Sequence, residues 1–388
     1  MKLKPIAQSF SVNYTYKLHF TQNLFHIDNG LFKNIIKGYD KKRKVKLFFV
    51  VDNGVLEHHP QLLESINAYC VAYGNHLQFT SSLVIAGGEQ CKNDPGYVDL
   101  VLEGINSNAI CRHSFVVVIG GGAVIDMAGY AAAIAHRGVK LIRIPTTVLS
   151  QNDSAVGVKN SVNLFEKKNF LGTFAPPSAI INDSEFLKTL EQRDWIAGIS
   201  EAIKVSLIKD AEFFRFIEQR TERLRKRHMP TMDEIIYKCA EMHMDHISQG
   251  GDPFESGSSR PLDFGHWAAH KLEQMTHYNL RHGEAVAKGI ALDVTYANLM
   301  GLIPEKTLKR IIKVMEDIGF NLLIPIESDN DMIKLLKGIE EFREHLGGAL
   351  TITLISDIGK KHDVHEIDME IMKKAVSDLN VMCTINTI

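Results

Sequence analysis

The sequence predicts an α/β domain followed by a mainly α-helical domain. Three observations carry this prediction. Through the first half, short apolar runs alternate with segments typical of helices, which is the order expected for a parallel sheet with crossover helices. From about residue 184 onward the pattern is helical almost throughout. The length of 388 residues exceeds one typical domain, so we expect domains over residues 1–183 and 184–388, with a cleft between them.

The early elements follow from local composition. Residues 11–30 alternate polar and apolar side chains and predict short strands. The segment 45–51 is nearly continuous in apolar residues, as a buried parallel strand should be. It ends at Asp52, at the carboxyl end of the strand, where α/β folds bind ligands. The next predicted elements are a helix over 60–73, a strand over 78–85 and a helix over 95–110.

The segment 115–144 organises the first half of the chain. An apolar strand, three glycines at 120–122, an Ala-rich helix and a second apolar strand follow one another, which is a βαβ unit of the Rossmann-like kind. Such a turn lets backbone N–H groups approach a phosphate at the helix N-terminus. A tight structural turn explains the glycines equally well, because they do not match the GxGxxG pattern. Asp126, one turn into the helix, would either contact a ligand or cap the turn.

The second half is predicted to be helical. Residues 182–184 (Asn-Asp-Ser) form a helix-start signal, and Pro304 opens a further helix at a first-turn position. One late strand is expected over 350–355 and a closing helix over 367–379. The amphipathic helices between these landmarks cover 195–208, 211–224, 232–247 and 282–300.

Composition excludes several classes of protein. Lys and Arg number 44 against 46 Asp and Glu, and the net charge of -2 argues against a general nucleic-acid binder. No apolar run is long enough to cross a bilayer, and the N-terminal residues lack the apolar core of a signal peptide. The five cysteines are scattered, without CxxC spacing, which fits a reducing compartment. We therefore expect a cytoplasmic protein.

A group of histidines indicates a metal site. His266 and His270 are four residues apart and so share one face of a helix, and His282 follows. A catalytic zinc takes three nitrogen or oxygen ligands and keeps one position open. Glu201, three residues before Lys204, could supply a carboxylate. Any single one of the 17 histidines is more often a surface or core residue, but polar sites on separate amphipathic helices are harder to dismiss.

The loop after the second strand of the βαβ unit is basic and rich in amides. Lysines and asparagines in such density, with Arg137 at a nearby helix end, favour a pocket for an anion. A solvated charged loop is the alternative, and it is the commoner reason for exposed lysines. The residues concerned are Lys159, Lys167, Lys168, Asn160, Asn163 and Asn169.

Taken together, these motifs resemble the 3-dehydroquinate synthase family, also called sugar phosphate cyclases. The matching segments occur in the family's order from about Asp52 to Val286, and with the late strand they cover most of the chain. Their combination is far more specific than any one of them. They are GGGAVIDMAGYAAAIAHRG, IPTTVLSQNDSAVGVKN, KKNFLGTFAPP, AGISEAIK, DFGHWAAH and RHGEAV.

The resemblance implies roles for particular residues. A zinc, with cobalt as an alternative, would be held by Glu201, His266 and His282. Arg137 matches the arginine that reaches the active site of the neighbouring subunit, which implies a homodimer. NAD contacts would come from Asp52, Glu89, Lys92, Gly121, Gly122, Asp126, Thr146, Thr147 and Leu149. Substrate contacts would come from Asp153, Lys159, Lys168, Asn169, Lys204 and His270, with Asp153 and Lys168 also near NAD.

The family's reaction is a cycle. NAD oxidises a ring hydroxyl of a sugar phosphate, with the metal as Lewis acid. The new ketone acidifies the adjacent C–H, and phosphate leaves. NADH then returns the hydride, so NAD is not consumed. Ring opening and an intramolecular aldol step give the carbocycle, and His270 would relay a proton.

The sequence departs from dehydroquinate synthases at the end of the pocket that binds the substrate carboxylate. Asp263 replaces an asparagine, and Arg260 stands one place away from the family's basic residue. The segment 241–261 lacks the substrate-binding lysine and offers His243, Asp245 and His246, while the segment 342–354 lacks the usual paired lysines. We therefore hypothesise a sugar 7-phosphate other than, or besides, the shikimate-pathway heptulosonate. Relatives such as the 2-epi-5-epi-valiolone synthases cyclise sedoheptulose 7-phosphate, which has no carboxylate.

Two other interpretations remain open at this point. A metal-dependent polyol dehydrogenase of the glycerol dehydrogenase type has a similar two-domain plan, but it would release NADH. A non-catalytic homologue that only binds nucleotide would not need the set of Glu201, His266 and His282.

Overall fold

The computed structural model describes residues 5–165, 167–254 and 261–385. Six of its strands form one sheet and the other four form two hairpins. In chain order the strands are β1 (Leu18–Thr21), β2 (Val45–Asp52), β3 (Leu77–Ile85), β4 (Phe115–Gly120), β5 (Lys140–Pro145), β6 (Lys159–Leu164), β7 (Lys167–Phe174), β8 (Ala179–Asp183), β9 (Ile352–Asp357) and β10 (Lys360–Val364).

Helices fill the intervals in the first half and make up most of the second. In chain order they are α1 (Leu31–Tyr39), α2 (Asn53–His58), α3 (Leu62–Ala72), α4 (Gln90–Asn93), α5 (Pro95–Ser107), α6 (Gly122–Ile134), α7 (Gln192–Ala197), α8 (Ile199–Lys209), α9 (Ala211–Glu218), α10 (Thr221–Arg225), α11 (Met229–Gln249), α12 (His266–Met275), α13 (His282–Leu299), α14 (Glu305–Ile318), α15 (Asp329–His345) and α16 (Met369–Ile385).

The large sheet has the order β1-β8-β5-β4-β2-β3, and each described pair of neighbours in it is parallel. Both faces are covered: α1 and α3 pack over one, and α5 and α6 over the other. All of β4 is buried, which explains its unbroken run of apolar residues. Because the strands are parallel, Asp52, Gly120, Pro145 and Asp183 end their strands at one edge, and this edge positions the site.

The structure confirms the α/β plan and corrects several elements. Within the described part of 11–30, only β1 is a strand, and turns follow it. The predicted helix over 60–73 is α3, and it begins only at Leu62. The late strand belongs to a hairpin of β9 and β10. The loop that the sequence predicts after β5 contains an antiparallel hairpin, β6–β7, which packs on α6.

The second half encloses its own apolar core. Helices α8 and α13 lie at its centre, and nearly all of their residues are buried. This leaves few faces for charged side chains, so the buried polar residues on these helices point to a site. None of the described helices is long and apolar enough to span a membrane. The boundary at residue 183 coincides with the end of β8 and stays a prediction about the limits of the domains.

Candidate active site

A cavity of about 1080 Å³ lies at the carboxyl edge of the sheet, facing α8, α11, α12 and α13. It brings together side chains that are up to 230 positions apart in the chain (Asp52 and His282). Nearly all the residues that the sequence singled out line it. They are Asp52, Glu89, Lys92, Gly121, Gly122, Asp126, Thr146, Thr147, Leu149, Asp153, Lys159, Lys168, Asn169, Lys204, His266, His270 and His282.

Several predicted residues lie outside the lining, among them Lys167 and Asn163 of the predicted anion pocket. Glu201 is fully buried just behind it, next to Lys204. Arg137 is exposed in a short turn after α6, with a φ of 63°, and does not line the cavity of its own chain. Asp245 and His246 also lie outside the lining, whereas His243 belongs to it. Arg260 falls outside the described residues.

The glycine turn and Asp52 form one wall of the cavity. Asp52 caps α2 by accepting a hydrogen bond from Gly54 N at 2.9 Å, and it also accepts one from the Gly121 N–H. A Cβ atom on Gly87 would lie 2.4 Å from the Asp52 carboxylate, so only glycine fits there. Burial raises the pKa of Asp52. The wall therefore combines a fixed carboxylate with the N-terminus of α6, an arrangement suited to ribose hydroxyls and phosphates.

A buried lysine joins three elements beside this wall. Lys92, on α4, is 3% exposed and donates to Asp126 Oδ2 at 2.8 Å and to Ser161 Oγ at 3.3 Å. It also donates to the side-chain oxygen of Asn169, which has a φ of 56°. Because α4, α6 and the β6–β7 hairpin all contact one ammonium group, the polar segment predicted as a loop is held in a fixed position beside the cavity.

The three predicted metal ligands converge. One ligand atom from each of Glu201, His266 and His282 lies within 4.8 Å of the others. His266 Nδ1 contacts Phe264 O at 3.1 Å, which leaves Nε2 facing Glu201 Oε1 at 3.8 Å. Burial and the Lys204 charge lower the pKa of His266, so its imidazole is neutral at pH 7, the form that binds metals.

The turn that precedes His266 is stabilised by hydrogen bonds to α13. Gly265 has a φ of 79°, a conformation that glycine adopts readily. Asp293, on α13, accepts hydrogen bonds from Gly265 N at 3.0 Å and from Trp267 Nε1 at 2.9 Å. Burial raises the pKa of Asp293 to about 7. The residues on both sides of His266 are therefore fixed to one carboxyl group.

Lys204 lies among three carboxylates. Its ammonium group contacts Glu201 Oε2, and Asp153 and Asp263 are close enough to raise its pKa further against the effect of burial. His243 Nδ1 lies 3.0 Å from Asp153 Oδ1. Burial alone would raise the pKa of Asp153, but Lys204 and His243 hold it well below the usual value. Among the described residues, three carboxyl groups thus surround one lysine at this end of the cavity.

Glu273 is a site residue that sequence reasoning missed. It is buried on α12, and its carboxylate accepts from Lys168 Nζ at 2.9 and 3.0 Å and contacts His282 Nδ1 at 3.1 Å. It follows His266 by seven residues and His270 by three, so all three share one helix face. That spacing was the available signal. Glu273 connects the hairpin lysine with a predicted metal ligand.

Glu273→Gln is expected to weaken metal binding by about 10- to 100-fold, because a carboxylate that accepts the Nδ1 proton of a ligand histidine orients the ring and increases its basicity. Chelator competition on the purified protein measures this affinity. Glu341→Gln is the matched control, since Glu341 also pairs with a lysine of α12, Lys271 at 2.7 Å, but lies outside the cavity lining. Equal metal affinity in the two variants would contradict the expectation.

Comparison with known proteins agrees with this geometry. The model of the 3-dehydroquinate synthase N-terminal domain matches residues 82–197, and that of the C-terminal domain matches residues 198–340. The 3-dehydroquinate synthase of Shewanella sp. (strain MR-4) is 34% identical over 347 residues, covering 89% of this chain and 91% of its own. This chain belongs to the 3-dehydroquinate synthase family. A second relative, from Vibrio atlanticus (strain LGP32), is 35% identical over 308 residues, 76% of this chain and 81% of its own.

Solved structures extend the likeness across the family. ValA, a 2-epi-5-epi-valiolone synthase from Streptomyces hygroscopicus subsp. jinggangensis 5008 with NAD+ and Zn2+ bound, has a TM-score of 0.86 at 26% identity, covering 97% of this chain and 99% of its own. A glycerol dehydrogenase from Schizosaccharomyces pombe has a TM-score of 0.62 at 15% identity, covering 95% and 89%, and shares the fold alone. The chain is thus a carbon–oxygen lyase of the 3-dehydroquinate synthase type, a sugar phosphate cyclase.

Proposed function

We propose that this cyclase uses NAD and zinc to convert a heptulose 7-phosphate without a carboxylate into a carbocycle. The observation that carries the proposal is the charge around Lys204. That single ammonium group faces Glu201, Asp153 and Asp263, so among the described residues its charge is balanced by carboxyl groups of the chain itself and is a poor partner for a substrate carboxylate. Carboxylate oxygens accept hydrogen bonds from hydroxyl groups instead. Asp263 and His243, two of the departures from the family pattern, both line the cavity near Lys204 and Asp153.

The chain's own groups fit the two cofactors. Glu201 Oε1 is buried and, among the described residues, accepts no hydrogen bond, which is costly unless a cation occupies the site. Two imidazoles and a carboxylate are ligands that zinc and cobalt take. The glycine turn, Asp52 and the group around Lys92 would hold the dinucleotide. When bound, NAD accepts and returns a hydride and the metal acts as a Lewis acid on the ring hydroxyl.

The remaining side chains would bind and orient the sugar phosphate. Lys159 and Asn169, on the hairpin, offer donors to phosphate oxygens. Lys204 would hold the hydroxyl next to the one being oxidised. The His270 ring centroid lies 5.6 Å from that of His266 and 6.0 Å from that of His282, so a proton at His270 stays beside the metal group.

We also propose the homodimer that the family resemblance implies. Arg137 supports it, because an exposed arginine after α6 that is absent from its own cavity is free to reach the cavity of a second copy. Sedimentation analysis of the purified protein tests the stoichiometry. A monomer at assay concentration would exclude this role for Arg137.

A substrate panel tests the proposal. Purified enzyme with NAD and zinc is offered sedoheptulose 7-phosphate and the shikimate-pathway heptulosonate 7-phosphate, with phosphate release and NADH absorbance recorded together. We expect kcat/KM for the neutral sugar to exceed that for the heptulosonate at least about tenfold, because one unpaired buried charge costs more than 1.4 kcal/mol. Phosphate should be released without net NADH. Preference for the heptulosonate would contradict the substrate, and stoichiometric NADH would indicate a polyol dehydrogenase.

Asp263→Asn gives the panel a matched comparison within one protein. Removing this negative charge should lower the ratio of kcat/KM for the neutral sugar to kcat/KM for the heptulosonate. An amide donates a hydrogen bond to a substrate carboxylate, which a carboxylate side chain cannot do. An unchanged ratio of the two kcat/KM values would show that Asp263 does not contribute to substrate specificity.

A further inference from the structure

Arg143 is a buried cation that is held by carbonyl oxygens, with Asp126 near enough to act on its charge. It lies on β5 and is 0% exposed, and among the described residues it makes no ion pair. Its guanidinium donates to Ala155 O at 2.8 Å and Gly157 O at 2.6 Å from one nitrogen. The other nitrogen donates to Lys159 O at 3.1 Å and to Asn160 Oδ1 at 2.7 Å. These oxygens replace water around the two terminal nitrogens, whereas the buried Nε has no hydrogen-bond partner among the described residues.

All four acceptors belong to one short segment, residues 155–160. Tyr16 adds a fifth hydrogen bond, from its hydroxyl to Val156 O at 3.1 Å. Four backbone carbonyl groups of the segment are thereby held by Arg143 and Tyr16. The segment connects the turn that carries Asp153 with the start of β6 at Lys159, and both of these residues line the cavity.

The neighbourhood is adapted to this arrangement. Asn160 Nδ2 donates to Ala175 O at 3.2 Å, so the side chain that Arg143 holds also joins the base of the hairpin. A Cβ atom on Gly129 of α6 would lie 2.0 Å from Asn160 Oδ1, so a glycine is needed there to admit the asparagine. An apolar side chain in place of Arg143 would fill the space but would leave these oxygens without donors.

We propose that Arg143 is a positioning residue that sets the conformation of residues 153–160 and thereby places Asp153 and Lys159 in the cavity. Arg143 itself does not line the cavity. The consequence for turnover rests on the proposed function, because it assumes that Asp153 and Lys159 contact the sugar phosphate. The conformational role does not rest on it.

The test uses four variants of the full-length protein. Arg143→Met removes the donors, Arg143→Lys keeps the charge with a different geometry, and Tyr16→Phe removes one hydrogen bond. Lys288→Met is the matched control. Lys288 is likewise a buried cation held by carbonyls, donating to Asn321 O at 2.7 Å and to Leu323 O, but it lies outside the cavity lining. Hydrogen exchange of backbone amides, metal content and steady-state kinetics are measured for each.

Arg143→Met is expected to speed amide exchange in residues 153–160 by at least about tenfold while α13 keeps its protection. Its kcat/KM should fall about 100-fold, the cost of displacing positioning groups by about 1 Å, and bound metal should remain. Arg143→Lys should recover part of both losses. If Arg143→Met does not fold, Arg143→Lys and Tyr16→Phe carry the test, each with faster exchange confined to residues 153–160.

Unchanged exchange in residues 153–160 of all the Arg143 and Tyr16 variants that fold would overturn the proposal. An equal fall in kcat/KM for Lys288→Met at equal loss of stability would do the same for the kinetic consequence. If the wild-type enzyme turns over no sugar phosphate while the exchange pattern changes as expected, the proposed function fails and the positioning role of Arg143 stands.

Discussion

His282→Ala is expected to remove bound metal and nearly all turnover. Only Glu201 and His266 would remain of the three groups that converge within 4.8 Å, and a catalytic zinc site needs three protein ligands. Lewis-acid stabilisation of several kcal/mol corresponds to roughly a thousandfold or more in rate. Metal analysis of the dialysed protein and phosphate release measure the two effects separately.

His362→Ala is the control for this variant. His362 is exposed on β10 and does not line the cavity, so its loss should leave metal and rate unchanged. Retention of a full equivalent of metal by His282→Ala would remove His282 from the ligand set. Loss of turnover with metal retained would assign it a role in proton transfer instead.

Lys204→Met should have the second largest effect. The substitution leaves Glu201, Asp153 and Asp263 without the cation that now lies among them. Breaking a buried charge group by removing one partner costs about 3–5 kcal/mol of unfolding free energy. We also expect kcat to fall by about 100- to 10,000-fold, the range associated with a positioned group that acts on a reacting hydroxyl.

Lys209→Met, on the exposed end of the same helix α8, controls for loss of a lysine. Denaturant unfolding and kcat are measured with metal and NAD present, so that stability and catalysis are read from the same sample. Wild-type stability in Lys204→Met would mean that the carboxylates are compensated by another group. Wild-type kcat would exclude Lys204 from the reaction.

Much of the frame was predictable because its signals are local. The unbroken apolar run at 115–119 predicts a strand that is buried on both faces, and the glycines at 120–122 predict the turn to α6. Family resemblance pointed to Glu201, His266 and His282, and the structure brings them together. Their role as ligands remains a prediction.

Three features of the structure could not be predicted from the sequence, each for a physical reason. The β6–β7 hairpin could not be predicted from the sequence, because its strands are largely polar or exposed and show no alternation of apolar residues. Arg143 looks like an interruption in an apolar strand, and its partners are mostly backbone carbonyls, which carry no sequence signal. Glu273 is one of many acidic residues on helices, and its partner Lys168 lies on a hairpin far away in the sequence, so the pair cannot be predicted locally.

In this fold, the contacts that stabilise the loops are largely distinct from the side chains proposed to bind the substrate. The strands of the parallel sheet terminate along a single rim, where Lys92 and Arg143 fix the polar segments beside the cavity, and Asp293 fixes the turn before α12 on the opposite side. Substitutions at half-buried lining residues such as Asp263 and His243 therefore need not disturb these contacts. With this arrangement, we expect a few substitutions in the lining to change substrate preference while the contacts that fix the loops are kept.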